Sequence, residues 1–306
     1  MDRLLAMQVF VQVVDAGSFT RAAEVLRLPK ASVTTLLQGL EAHLRTKLLN
    51  RTTRRVSVTA DGAAYYERCV RILAEVEETE SALTRTRTAP HGRLRVDVPA
   101  SFGRRLLVPA LPEFFERYPE IRLEVGCSDR PVDLLEEGVD CVVRGGEQSD
   151  SSLVARHVAS YPFVTCATPA YLARFGVPSH PRDLERHRCI RYLMPKSGRI
   201  VEWNLVRAGE QITTPSADAF VAVNDGEAYV AAGLAGLGVL HAPRFLVDDA
   251  LADGRLVHLL EDWATDPLPV YVMYPQNRHL SAKVRAFVDW VAELFTRSTD
   301  SGAHSP

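Results

Sequence analysis

The fold class that the sequence predicts is α/β, in three consecutive parts: a basic trihelical head, one long helix, and a larger body in which strands and helices alternate. Three observations carry that expectation. Within residues 1–60, nine basic residues (Arg3, Arg21, Arg27, Lys30, Arg45, Lys47, Arg51, Arg54 and Arg55) stand against four acidic ones (Asp2, Asp15, Glu24 and Glu41). That stretch carries +5, so the whole-chain charge of -2 leaves -7 for the remainder. Apolar residues keep helical spacing through residue 44 and again from residue 60 to Leu83, and beyond residue 92 the spacing switches repeatedly between strand and helix periods. With 306 residues, 46% of them hydrophobic and 24% charged, the chain is a globular protein of two or three domains rather than a disordered one.

In the head, Met7, Phe10, Val11 and Val14 recur at i, i+3, i+4, i+7, which predicts a first helix ending at Gly17. Ser18 is placed to cap a second helix whose Phe19, Ala22, Ala23 and Leu26 repeat the spacing, with small Ala22 and Ala23 allowing close approach of a neighbour. Pro29 suits the first position of a third helix, since its fixed φ fits there and its missing N–H costs nothing. Val33, Leu37, Leu40 and Leu44 form that helix's buried face, and Lys30, Ser32, Thr34, Thr35 and Gln38 its polar face. Two helices joined by a tight turn, the second presenting hydrogen-bonding groups, read as a helix-turn-helix. Charge alone fits a solvated basic surface as well as a polyanion-binding one; the added periodicity favours DNA. Leu48 to Val58 then gives two short β-prone pieces around a basic tip, a wing on which Arg51, Thr52, Arg54 and Arg55 are the candidate phosphate or minor-groove contacts. The candidate DNA-contacting set is completed by Ser18 at the start of the second helix.

These segments resemble the LysR-type transcriptional regulators of bacteria. The likeness rests on FVQVVDAGSFTRAAEVL, on Leu40-Glu41 closing the third helix, and on LLNRTTRRVSVTADG, in the family's order and spacing. It continues to about Phe295 through GRLRV, LVPALPEFFERYPEIRLEV and VNDGEAYVAAGLAGLGVL. The chain departs from the family's usual pattern with Pro29 in place of Ser, Thr35 in place of Arg and Arg45 in place of Gly. These changes bear on the DNA sequence read rather than on the groove-binding mode.

Thr59 is placed to cap a helix over 60–88, in which Tyr66, Cys69, Leu73, Val76, Glu80 and Leu83 alternate steps of three and four, the pattern of a two-stranded seam. That seam makes it the expected dimerisation element, with polar Glu80 at a seam position favouring a partly exposed coiled coil over a helix packed on its own domain. Its roughly 28 residues span ~42 Å, enough to hold two DNA-binding heads apart. Ala89-Pro90-His91-Gly92 ends it. Beyond, Leu94, Val96 and Val98 alternate as a strand, a helix carries Leu106, Leu111, Phe114 and Phe115, Ile121, Leu123 and Val125 alternate again, and a further unit runs from Val132 through a strand at Asp140 to Val143.

The resemblance implies an effector-binding domain over 90–296 of the periplasmic-binding-protein type, with lobe I at about 92–163 and 268–296, lobe II at about 164–267, and a disordered tail at 297–306. The linker occupies 60–89 and the winged helix-turn-helix 1–59. Ligands in such folds sit outside the carboxyl ends of strands. That rule selects Ala100, Ser101 and Phe102, Asp129 and Arg130, Arg144, and Asn224 as candidate contacts for a small anionic or polar effector. The expected partners are therefore double-stranded DNA, a small-molecule effector, and further copies of the chain, as a dimer or tetramer.

Enzymatic readings fare worse. Pro99-Ala100-Ser101-Phe102-Gly103 has proline where a nucleophile elbow has glycine, and no acid and histidine fall at matching spacing. Gly233, Gly236 and Gly238 lack the dinucleotide-binding order, and read instead as positions of close helix packing. No HExxH or similar ligand spacing occurs, so no catalytic residue, metal or cofactor is expected. Five cysteines without a CxxC pair fit reduced thiols. The opening residues, with Asp2 beside Arg3 and no cleavage site, together with the lack of an uncharged run of about 20 residues, predict a cytoplasmic protein with no membrane span. The rival class is a solute-binding or enzymatic α/β protein whose first helices dock a partner; salt-dependent DNA binding separates the two.

Overall fold

The computed structural model describes residues 1–51, 56–83, 89–134, 137–147, 153–214, 219–276 and 280–302. The chain divides into two compact units, Met1–Thr88 and Ala89–Pro306.

In the first unit, α1 (Arg3–Ala16) starts where the Asp2 carboxylate accepts from the Leu5 N–H and stops at Gly17, whose φ of 60° is left-handed. α2 (Phe19–Leu26) starts at Ser18, whose hydroxyl accepts from the Arg21 N–H. α3 (Lys30–Leu44) follows Pro29, which lies one residue outside the helix, at ψ 139°, rather than at its first position. The ring still presets φ, while the carbonyl of Pro29 receives the N–H groups of Ser32 and Val33. Arg45 ends α3 at φ 53°, a conformation glycine adopts freely and other residues pay roughly 1–2 kcal/mol to hold. The head core comprises Ala6, Val9, Phe10, Val13, Ala22, Ala23, Val33, Leu37, Leu40, Leu48, Leu49 and Cys69. The buried stripe of α1 is thus Ala6, Val9, Phe10 and Val13, one notch from the predicted one, with Met7, Val11 and Val14 only partly covered.

β1 (Leu49–Arg51) pairs antiparallel with β2 (Val56–Val58), Leu49 facing Val58. α4 (Ala60–Leu83) opens at Thr59, whose hydroxyl accepts from the Gly62 N–H at 2.9 Å and reaches the Lys47 carbonyl at 2.7 Å. The first two expected seam positions prove to belong to the head itself. Cys69 is fully buried in its core, and Tyr66 packs on it with the hydroxyl donating to Asp15 at 2.5 Å. Further along α4, Ile72 is 40% exposed and Leu73 and Val76 are half-buried. The side chains of Glu80 and Leu83 lie outside the described residues.

The second unit begins with β3 (Gly92–Val98), which runs into a continuous helical segment: α5 (Ala100–Phe102), a π-helical turn (Gly103–Leu107) and α6 (Val108–Arg117). After β4 (Ile121–Cys127), β5 (Cys141–Gly145) and β6 (Leu153–Tyr161), the chain leaves this lobe at Pro162. It then builds a second lobe from β7 (Phe163–Ala167), α7 (Pro169–Phe175), β8 (Ile190–Tyr192), β9 (Trp203–Arg207), β10 (Glu210–Thr214), β11 (Val221–Val223), α8 (Gly226–Leu234), β12 (Leu240–Pro243), α9 (Asp248–Ala252) and β13 (Val257–Leu259). β14 (Leu268–Pro275) and α10 (Ala282–Gly302) return to the first lobe. α10 includes residues 297–302, so that part of the expected disordered tail is helical.

The first lobe is a mixed five-stranded sheet in the order β4-β3-β5-β14-β6, parallel among β4, β3 and β5 and antiparallel at β14. Its core joins Leu94, Val96 and Val98 to Phe114, Phe287, Trp290 and Phe295. The second lobe contains a three-stranded sheet β12-β7-β13, the parallel pair β11-β8 and the hairpin β9-β10. Two clusters fill it, one around Val164, Ile190, Tyr229 and Leu240, the other around Tyr171, Trp203, Leu205 and Trp263. Gly233 lets α8 close on Leu240, whose side chain would lie 2.5 Å from a Cβ there, whereas Gly238 lets two backbone segments meet, a Cβ there lying 2.2 Å from the Arg188 carbonyl oxygen. All five cysteines are free thiols. Among the described residues no helix is long and apolar enough to cross a membrane, and no group of His, Cys, Asp and Glu is placed to hold a metal ion.

Candidate DNA-binding face and ligand cleft

On α3 the apolar positions turn inward, which leaves Lys30, Thr34 and Gln38 one helical turn apart on the outer face, with Thr35 beside them. Lys30, Thr35 and Gln38 are exposed, while Ser32 and Thr34 are half-buried. The hydroxyls of Thr34 and Thr35 donate to the carbonyls of Lys30 and Ala31, at 3.1 and 3.0 Å, so in the free protein they are oriented by their own helix. Ser18 is engaged in capping α2. Arg51 lies in β1, whereas Thr52, Arg54 and Arg55 fall outside the described residues.

The residue that fixes the wing to α3 was missed as a functional group in the sequence, where Glu41 served only as a landmark. It is 4% exposed. One carboxylate oxygen accepts from the N–H groups of Leu48 and Leu49 at 2.9 and 3.2 Å, and the other meets Lys47 at 3.1 Å. Burial pushes its carboxyl up, but Lys47 and the two N–H groups together outweigh burial and hold it below the usual range.

In the second unit, several candidate residues converge where the lobes meet. Asp129, after β4, accepts from the Ala100 N–H of the first lobe at 2.9 Å and from the Gly226 N–H of the second at 3.0 Å. Tyr192, at the end of β8, places its hydroxyl 3.4 Å from the same carboxylate and 3.4 Å from the Asn224 carbonyl. Burial, reinforced by Asp129 and Asp225, pushes that phenol up. Ser101 is buried against Gly226, where a Cβ would lie 3.2 Å from its hydroxyl oxygen. Arg105, in the π-helical turn, forms a two-point ion pair with Glu227 of α8 at 2.6 and 2.9 Å.

The remaining candidate side chains are committed to other contacts or lie open to solvent. Phe102 belongs to the apolar core, stacked on Phe245 at 4.7 Å and Phe295 at 5.6 Å. A large side chain after a strand was better used to fill the lobe than to line its mouth. Arg144 is committed to Asp97, at 2.5 Å, and to the Val143 carbonyl at 2.8 Å. Burial pushes the Asp97 carboxyl up, a shift Arg144 offsets only in part. Arg130 is exposed and faces Glu137 at 3.4 Å. Asn224 is exposed, and the cap of α8 is its neighbour Asp225, which accepts from the Ala228 N–H at 2.7 Å. Arg105, Tyr192 and Glu227 had no local signal, because each gains its meaning from a partner more than 60 residues away. A separate cavity of about 360 Å³ lies within the second lobe, among residues that include His187, Arg191 and Thr214.

The family model for the bacterial regulatory helix-turn-helix protein, lysR family, matches residues 4–63, and that for the LysR substrate binding domain matches residues 87–296. The chain belongs to the LysR family of transcriptional regulators. An HTH-type transcriptional repressor of Pseudomonas aeruginosa (strain UCBPP-PA14) is 41% identical over 300 residues, covering 98% of this chain and 94% of that one. The HTH-type transcriptional regulator CrgA of Neisseria meningitidis serogroup C is 36% identical over 288 residues, covering 94% and 95%. The solved structure of CrgA from Neisseria meningitidis aligns with a TM-score of 0.59 at 35% identity over 94% of this chain and 97% of that one. Full-length AphB, the Vibrio cholerae virulence activator, aligns with a TM-score of 0.59 at 30% identity over 95% and 99%. As a LysR-type regulator the chain has a helix-turn-helix DNA-binding head and an effector-binding domain, in a family that is regulatory rather than enzymatic. DNA and a small-molecule effector are its partners, and LysR-type regulators form oligomers.

Proposed function

We propose that this LysR-type regulator reads operator DNA through α3 and answers a small molecule bound between the lobes of its second unit. The observation that carries the DNA half is the alignment of Lys30, Thr34 and Gln38 on the outer face of α3 in a head of net charge +5. Gln38 and Thr34 contact base edges in the major groove, with Ser32 and Thr35 beside them. Lys30 contacts phosphate, as do Arg51, Thr52, Arg54 and Arg55 of the wing and Ser18 at the start of α2. Effector contacts fall to Ala100, Ser101, Asp129 and Asn224, with Tyr192 and Arg105 added by their position and Arg144 assigned to holding Asp97. The protein works in the cytoplasm.

Fluorescence anisotropy of the full chain on double-stranded DNA flanking its own gene tests the α3 reading. Gln38→Ala is expected to relax preference at one or two base pairs. Lys30→Ala is expected to weaken binding to every sequence and to lower the salt slope by about one. Unchanged affinity, preference and slope in both variants would remove α3 from the interface.

Dimerisation is assigned to α4 beyond the head. The apolar groups that α4 leaves partly open are Ile72, Leu73 and Val76, the first of them 40% exposed. Leu73→Asp places a charge in that seam at a cost of several kcal/mol, and sedimentation is expected to show a smaller oligomer. An unchanged sedimentation coefficient would move the seam elsewhere.

A further inference from the structure

Every donor arranged around the Asp129 carboxylate comes from a different element. Ala100 donates from the start of the helical segment of the first lobe, Gly226 from the start of α8, and Tyr192 from the end of β8. The two backbone N–H groups lie outside strand ends, on opposite lobes, at the position where such folds receive the anionic group of a ligand. A side chain of the protein already fills it. Three of the roughly four acceptor positions of a carboxylate are used there. A second carboxylate brought alongside would find its donors taken and would face a like charge at a few ångströms, in surroundings that screen poorly.

We propose that Asp129 is a specificity-determining residue: a tethered anion that occupies the interlobe anion position and bars carboxylate effectors from it. An effector that binds the unaltered protein then approaches Asp129 with a hydrogen-bond donor or a positive charge. The proposal rests on the reading of the interlobe cleft as the effector site. The lobes do not depend on Asp129 alone for their contact, because the two-point pair of Arg105 with Glu227 and the stack of Phe102 on Phe245 are independent of it. Removing the carboxylate therefore exposes the Ala100 and Gly226 N–H groups while the lobes remain tied.

The test uses acetate as the probe on the full-length protein, with chloride at matched ionic strength as control. Asp129→Ser frees both donors; Asp129→Asn keeps the shape and removes the charge. Circular dichroism first establishes that each variant is folded. In Asp129→Ser, acetate is expected to raise Tm in a saturable manner, with an affinity at least tenfold above that of the unaltered protein, and Asp129→Asn to fall between. Equal acetate responses in Asp129→Ser and the unaltered protein would overturn the proposal. So would failure of both variants to fold, which would make the carboxylate part of the scaffold. DNA affinity measured in the same acetate series separates the two readings. A saturable Tm response in Asp129→Ser with no change in DNA affinity leaves Asp129 as the anion-excluding residue and removes the cleft as the regulatory site. An absent Tm response removes the proposal and leaves the cleft reading standing.

Discussion

Glu41→Ala is expected to destabilise the DNA-binding head by about 3–4 kcal/mol and to abolish operator binding at concentrations where the unaltered protein is saturated. The carboxylate serves two backbone N–H groups whose residues, Leu48 and Leu49, are themselves buried. Alanine leaves both donors without an acceptor, at about 1–3 kcal/mol each, and removes the ion pair with Lys47. The damage falls where it matters for recognition, because the same contacts hold the first strand of the wing to the end of α3. Glu41→Gln, which retains one acceptor oxygen, should lie between the two. The charge also gives the contribution a pH sense. With its carboxyl held below the usual range, Glu41 stabilises the head fully above the ordinary glutamate range, and the contribution is lost as pH falls through the lowered value. Denaturant unfolding of the full chain and DNA titration of each variant measure both effects; an unchanged midpoint in Glu41→Ala would show that the wing is anchored by other means.

The second large effect is an acid sensitivity centred on His241. Its imidazole is 8% exposed, stacked on Phe163 at 5.0 Å, tilted against Trp203 at 5.4 Å and hydrogen-bonded to Thr165 at 2.9 Å. Burial, and secondarily the positive charge of Arg191, hold it down to about 3. In the unfolded chain the same group titrates near 6.5. Between those two values the unfolded state binds the proton and the folded state does not, so stability falls as pH drops below about 6.5 and stops falling near 3. At pH 5 the loss is about 2 kcal/mol. Unfolding at pH 7.5 and at pH 5 is expected to show that difference in the unaltered protein and a smaller one in His241→Gln. Equal pH dependence in both would assign the acid sensitivity to other groups.

What could be read from the sequence was local. The helices of the head declare themselves through amphipathic spacing and through caps at Ser18, Gly17 and Thr59, which act over three or four residues. The register of α1 was not decidable that way: Ala6 and Met7, Val9 and Phe10, and Val13 and Val14 are adjacent apolar pairs, so two stripes fit the same period. In α4 the first positions of the a/d pattern serve the head, since Phe10 lies against Tyr65 and Tyr66 at 5.7 and 6.5 Å. In the second lobe, β8 and β11 are three residues long and too short to show a period, and the hairpin β9-β10 turns at Ala208-Gly209, a pair less telling than Asn-Gly. The strand-end rule reached Ser101 and Asp129 at the lobe contact. It missed Arg105, in the π-helical turn that follows α5, and Glu227, in the first turn of α8, which recognise each other across 122 residues of chain.

The order in which the first lobe becomes available during synthesis follows from its topology. β14 lies between β5 and β6, with Val272 paired to Val143 on one side and to Arg156 on the other, yet it is the last strand made. The whole second lobe is translated before it. Until residues 268–275 leave the ribosome, β5 and β6 each present an edge with no strand to pair with, and Phe287, Trp290 and Phe295 are still missing from beneath the sheet. A chain stopped anywhere in the second lobe therefore carries an unfinished sheet, and this places the hazard of aggregation on nascent and truncated chains rather than on the finished regulator.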